Sequence, residues 1–317
     1  MAISIETHTA TGAPLILLYG PEGCGKTSLA LNAPNPIYLP IAPEAPPWKL
    51  HPKKFTGVEN FADVLNALRM LFKSPGHFQT LVIDSLSALE PWVWQATCLK
   101  HKWRDIEAPG FGKGYVAADV VWTDLFLACH ALGAKRGIST IFIAHSEAGF
   151  VDEPGFPPFN RHSIRLQKRG EAIATESCDA VWFMHSKVSV KSVDAGFGRK
   201  DIYAEGGGTR VLSVDGRANF VAKNRFGMPP EVVIPELNPW EAVAPYLELP
   251  EAPPPDEVEP ELPLVNGVTS TEVAPETVGE RLVPPISELI EKYEPQVNPP
   301  STAEETSAAL GGDVVPI

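Results

Sequence analysis

Leu15-Ile16-Leu17-Leu18-Tyr19-Gly20-Pro21-Glu22-Gly23-Cys24-Gly25-Lys26-Thr27-Ser28 is the stretch on which the reading of this chain turns. Its apolar start suits a buried strand, and the strand runs straight into Gly-Pro-Glu-Gly-Cys-Gly-Lys-Thr, a full match to the spacing of a phosphate-binding loop. The glycines let the backbone curl with its N–H groups turned inward around a β-phosphate, and the following helix offers its N-terminus. In such a loop Lys26 neutralises the β- and γ-phosphate oxygens and the Thr27 hydroxyl ligates Mg²⁺, while Gly20, Pro21, Glu22, Gly23, Cys24, Gly25 and Ser28 complete the cradle. The expected ligands are ATP and Mg²⁺. A Gly-rich turn without a ligand is the competing reading, and the strand, loop and helix context speaks against it.

Outward from the loop, residues 28–31 continue a helix that Ala33-Pro34-Asn35-Pro36 ends, and Ile37-Tyr38-Leu39 reads as the next strand. Phe61, Val64, Leu65, Leu68 and Phe72 recur at helical spacing up to Ser74-Pro75-Gly76. Leu81-Val82-Ile83-Asp84 is an apolar run ending on an acid. Downstream of a phosphate loop, Asp84 is expected to hold the water shell of the magnesium; in isolation it would be only a turn residue closing a buried strand. Glu90, a turn and a half further on, reads as a surface residue. A Gly-rich stretch over residues 109–115 precedes an apolar helix over 116–132, and Thr140-Ile141-Phe142-Ile143-Ala144 is a strand ending on His145. Residues 146–162 read as a loop, 164–177 as a helix and 180–184 as a strand. Short β-type runs at 188–190, 202–204, 211–214 and 220–222 then suggest hairpins added to the sheet edge. Alternating strands and helices predict a three-layer α/β domain with a mostly parallel central sheet and antiparallel hairpins towards the C-terminus.

Charge divides the chain. Residues 251–317 hold 14 acidic and 2 basic residues, so of the net charge of −13 only −1 belongs to the first 250. The same stretch is rich in Pro and poor in aromatics, and too little apolar surface is available there to offset its ordering entropy. The expected organisation is a domain over residues 1–249 and a disordered acidic tail over 250–317. Cys24, Cys98, Cys129 and Cys178 are widely spaced, with no pair at metal-ligand spacing, and the N-terminus shows no signal-peptide pattern. No apolar run approaches the roughly 18 residues needed to span a bilayer. A reduced, cytoplasmic protein without membrane contact is expected.

The ordered series of phosphate loop, Leu81 to Ser85, Gly-rich loop, Ile143-Ala144-His145-Ser146, second loop and Val221-Ala222-Lys223-Asn224-Arg225 resembles the RecA-like recombinase core. It is most similar to phage-type P-loop ATPases associated with single-strand annealing and recombination, over about residues 15–234. The resemblance implies Lys26 and Thr27 on phosphate and Mg²⁺, with Asp84 as the second metal-side acid. It places His145 where such proteins carry a γ-phosphate sensor, the alternative being an imidazole merely satisfied at a strand end. It also implies that Lys223 and Arg225 reach the ATP of a neighbouring subunit in a homo-oligomer, as an arginine finger does; a solvated pair at the sheet edge is the plainer alternative. One departure stands out: the acid expected just after the second strand to position water is represented only by Glu44, a couple of residues late in Pro40-Ile41-Ala42-Pro43-Glu44. Hydrolysis is therefore less firmly implied than binding.

In proteins of this kind the loops after the second acidic motif carry DNA. Here the first offers Phe111, Lys113 and Tyr115, and the second Phe150, Phe156 and Phe159 followed by Arg161, His162, Arg165, Lys168 and Arg169. Aromatic faces stack on unpaired bases, at about 1–3 kcal/mol per base, and cations track phosphates. Near-neutrality of the first 250 residues argues the other way. Two functions follow as expectations. One is an ATPase acting on single-stranded DNA in phage-type recombination, annealing or replication; the other is a nucleotide-switched interaction protein of the replication machinery with little or no hydrolysis. The acidic tail is a candidate contact for a replication or recombination partner. A small-molecule kinase is disfavoured, since no lid segment with spaced arginines is evident.

Overall fold

The computed structural model describes residues 13–151, 158–194, 200–247 and 249–250. At its centre lies β1 (Leu15–Gly20), buried at every position. Such a strand is apolar throughout because both its faces are covered. Leu15, Leu17 and Tyr19 join one apolar cluster and Ile16 and Leu18 the other, the period-2 division of a pleated strand. Each fully buried Leu or Ile side chain contributes about 1.5–3 kcal/mol, so this short strand anchors the domain.

β1 is flanked on one side by β5 (Ser139–Val151), β4 (Thr80–Asp84), β2 (Pro36–Pro40) and β3 (Lys53–Lys54), and on the other by β7 (Ala180–Asp194), β8 (Lys200–Ser213) and β9 (Glu231–Ile234). From β3 to β7 all pairings are parallel; β8 and β9 are added antiparallel. A further strand, β6 (Phe159–Ile164), pairs antiparallel with the outer half of β5, making a nine-stranded sheet. One face is covered by α2 (Phe61–Lys73), α3 (Leu86–His101), α4 (Lys113–Arg136) and α5 (Lys168–Ser177). The other holds α1 (Lys26–Leu31) and the 3₁₀ turns that bring Trp240 and Val243 against it. This is the three-layer P-loop NTPase core expected from the sequence. Helix α2 begins with a reciprocal capping box, in which Asn60 accepts from the Asp63 N–H while the Asp63 carboxylate accepts from the Asn60 N–H.

Several expectations need correction. Residues 146–162 are not a plain loop: β5 continues to Val151 and β6 returns alongside it, so a two-stranded ribbon projects beyond the sheet. The short runs at 188–190, 202–204 and, up to Ser213, 211–214 belong to two long strands, β7 and β8, and residues 220–222 form no strand, Phe220 making only isolated bridges to His162 and Arg217. Helix α4 starts at Lys113, which places Lys113 and Tyr115 on a helix rather than a loop. By length and composition α4 could cross a bilayer, its most apolar 18-residue window having mean hydropathy 1.4. Its Val121, Trp122, Leu125, Phe126, Cys129 and Leu132 are instead packed in the domain core. Glu90 is buried rather than on the surface, accepting a 2.8 Å hydrogen bond from the Gln167 N–H. Phe156 and the acidic tail from Glu251 onward lie outside the described residues.

Candidate nucleotide-binding site

The loop leaves the C-terminal end of β1 at Gly20, where a Cβ would sit 2.0 Å from the Met184 carbonyl oxygen of β7; only glycine permits this approach. Gly23 and Gly25 have φ of 74° and 100°, backbone that favours glycine, and the Gly25 carbonyl accepts from the Leu29 N–H at 2.9 Å to start α1. Lys26 is buried, and its ammonium donates to the carbonyls of Gly20 (2.9 Å) and Pro21 (2.7 Å), so the charge is held across the mouth of the loop. Burial pushes its pKa down, and nearby acidic groups, including Asp84, Glu44 and Glu22, oppose that shift.

Asp84 ends β4 beside this charge. One of its oxygens, Oδ2, accepts from both the Thr27 hydroxyl (2.8 Å) and the Tyr38 hydroxyl (3.1 Å). Burial pushes the Asp84 carboxyl up; the Thr27 hydrogen bond leads the effects that hold it down. Thr27 and Asp84 thus bring two hard oxygen donors together, as Mg²⁺ requires when nucleotide phosphates and water fill its remaining octahedral positions. Among the described residues no group of three His, Cys, Asp or Glu side chains forms a metal cage, and an ion bound in this way needs none. An ion held by Thr27 and Asp84 would supply positive charge to offset that developing on the phosphate.

The strand order places β5 between β4 and β1, with His145 in register with Gly20. The His145 imidazole is 12% exposed, and its Nε2 lies 2.7 Å from Glu44 Oε1. The Ser85 hydroxyl donates to the same oxygen at 3.2 Å, and the His145 N–H donates to Ser87 Oγ. Glu44 reaches this point despite its late place in the sequence. The Ile41 N–H donates to the Asp84 carbonyl at 2.6 Å, extending the β2–β4 pairing, and the Glu44 N–H then closes a turn onto the Ile41 carbonyl at 3.0 Å. The carboxylate is thereby returned to the ends of β4 and β5. Among the described residues His145 Nδ1 is buried without a hydrogen-bond partner, and Glu22 Oε1 lies 4.0 Å from it and also 4.0 Å from Arg165 Nη1.

Other candidates lie elsewhere. The Lys223 ammonium donates to the carbonyls of Thr175, Glu176 and Cys178 at 3.1, 3.1 and 2.6 Å, fastening the C-terminal end of α5. Arg225 pairs with Asp179 at 3.2 Å, and Asp179 also accepts from the Leu15 N–H, so this pair marks the end of β1 opposite the phosphate loop. Of the two DNA-loop sets, Phe111 is fully exposed and Phe150 is 72% exposed. Phe159 and Arg161 lie on β6, opposite Val151 and Gly149, and Lys168 opens α5. Tyr115 is tied to Glu107 and stands edge-on to Trp94, while Arg169 forks onto Asp119 of α4. Sequence reasoning missed Tyr38, whose only signal is a hydroxyl in an otherwise apolar strand adjoining the strand that ends on Asp84.

A family model described as an AAA domain matches residues 13–226, a span holding the phosphate loop, Glu44, Asp84, His145 and the segment from Lys223 to Arg225. No curated protein matches the chain. With a phosphate loop closing onto a strand-end acid and the family match over two thirds of its length, the chain belongs to the AAA-type P-loop ATPase family.

Proposed function

We propose that the protein is an ATPase that acts on single-stranded DNA in phage-type recombination, annealing or replication. The observation that carries this reading is the position of Glu22. It belongs to the phosphate loop, yet its carboxylate lies 4.0 Å both from the His145 imidazole and from Arg165, just past β6 of the ribbon that also bears Arg161 and the exposed Phe150. A change at the phosphates therefore has a short electrostatic path to a ribbon with aromatic and cationic side chains, the chemistry that grips unpaired bases and their phosphates. Glu44 is the proposed general base. Its carboxylate is oriented by His145 and Ser85 and stands near the metal-side acid Asp84, suiting it to accept a proton from attacking water. His145 then reports the occupancy of the γ-phosphate position to Glu22.

Arg225 is exposed and held by a single carboxylate, so a neighbouring copy in a homo-oligomer can recruit it towards its own ATP. Lys223, with its ammonium on three carbonyls, orders the segment that presents Arg225.

The test is ATP turnover with and without single-stranded DNA, for the wild type and for Phe111→Ala with Phe150→Ala. Stimulation in the wild type and its loss in the double variant is the expected result. Equal turnover with and without DNA would overturn the DNA reading. Activity lost in Arg225→Ala and partly recovered on mixing with Lys26→Ala subunits would assign Arg225 to a neighbour's site; no recovery would remove it.

A further inference from the structure

Strand β8 carries a cation that no loop motif announces. Leu212 and Val214 lie in the apolar cluster under α1, with Met184 and Ile234. Arg210, two residues before Leu212 and in register with Ser186 and Ile234, shares that face by the alternation of the strand. Its guanidinium reaches the phosphate loop: a Cβ on Gly25 would lie 3.1 Å from Nη1 and 3.3 Å from Cζ. Any side chain at position 25 would press on that group. The last glycine of the loop thus serves both its own turn, with φ of 100°, and the close approach of an arginine some 185 residues away in sequence.

The location within the site is specific. Along the sheet the order is β4, β5, β1, β7, β8. Asp84, Glu44 and His145 gather on the β4–β5 flank of the loop, whereas Arg210 enters from the β8 flank. With the first set on the side where metal and water would act, an arginine entering from the other flank would meet the opposite end of a bound phosphate chain. It also brings a second cation to the loop that holds the buried Lys26. A polyanion bound at the loop would be attracted to both charges.

We propose that Arg210 is a phosphate-binding residue supplied by the same subunit, gripping the α- and β-phosphates of the bound nucleotide rather than the γ-phosphate. This rests on the nucleotide reading of the loop. Because ADP and ATP share the groups it grips, Arg210 sets affinity for both, in contrast to a finger residue that acts on the transferring phosphoryl group.

The test is calorimetric titration of ADP and of a non-hydrolysable ATP analogue, each with Mg²⁺, into the wild type, Arg210→Ala, Arg210→Gln and Lys26→Ala. A charge-assisted contact predicts that both Arg210 variants weaken both ligands together by roughly ten- to hundredfold. The glutamine variant keeps most of the packing volume, and circular dichroism melts without nucleotide confirm that the fold persists. ADP affinity within twofold of the wild type in Arg210→Gln would overturn the proposal, as would weakening confined to the ATP analogue. A wild type that binds neither ligand would defeat the nucleotide reading itself, and Arg210 with it.

Discussion

Glu90→Gln should change how the stability of the domain depends on pH. Glu90 sits on α3 with its carboxylate under the start of α5: Oε1 accepts from the Gln167 N–H at 2.8 Å, and a Cβ on Gly170 would come within 3.3 Å of the same oxygen. Burial raises its pKa from 4.5 to about 6, against the pull of the Gln167 hydrogen bond. The folded form therefore binds the proton more tightly than the unfolded chain. The stability contributed by that proton is fully present below about pH 4.5 and is lost as pH rises through about 6. A shift of this size corresponds to about 2 kcal/mol. Glutamine keeps the acceptor and has no charge to bury, so the stability of the variant relative to the wild type should rise by about 2 kcal/mol between pH 4 and pH 7. Denaturant titrations of both proteins at pH 4, 5, 6 and 7 measure the difference. Asp84 and Glu171, whose burial raises their pKa values as well, act equally in both proteins and cancel. Curves that stay parallel across this range would refute the placement of Glu90 as an ionised carboxylate buried between α3 and α5.

Gly20→Ala puts a methyl group 2.0 Å from the Met184 carbonyl oxygen, so β1 and β7 must separate at the root of the loop. The expected cost is about 1–3 kcal/mol by thermal or chemical melts, with nucleotide binding lost alongside; unaltered binding would contradict the close approach. Lys223→Ala leaves three carbonyls at the end of α5 without their cation and should lower stability by about 1–3 kcal/mol. Lys223→Arg should recover only part of this, because a planar fork does not reproduce three convergent ammonium bonds.

The elements legible in the sequence are those whose signal is local. The loop from Gly20 to Thr27, the strand ending on Asp84 and the strand reaching His145 each combine an apolar run with a chemically marked end, and all three lie where the sequence places them. The β5–β6 ribbon gave no such signal. Ser146 to Val151 and Phe159 to Ile164 are mostly polar or only partly buried, since the ribbon projects away from the core, and their pairing depends on partners across an intervening segment. Glu90 misled for a related reason: an acid on a helix next to a strand end is usually solvated, and only the approach of Gln167 and Gly170 encloses it. Glu44 is displaced only in its place along the chain, because one extra pairing at Ile41 and a turn return it to His145. Arg210 had no local mark, because its meaning comes from sheet order, which places β8 next to β7 on the far flank of the loop.

The most direct measurement is single-turnover hydrolysis of ATP by Glu44→Gln, with ATP and ADP affinities determined on the same preparation. The carboxylate held by His145 and Ser85 at the ends of β4 and β5 predicts a rate about 10²–10⁴-fold below the wild type with binding retained. Hydrolysis at the wild-type rate, or a wild type that binds ATP and never cleaves it, would contradict the account of Glu44, Asp84 and His145 as a hydrolytic centre.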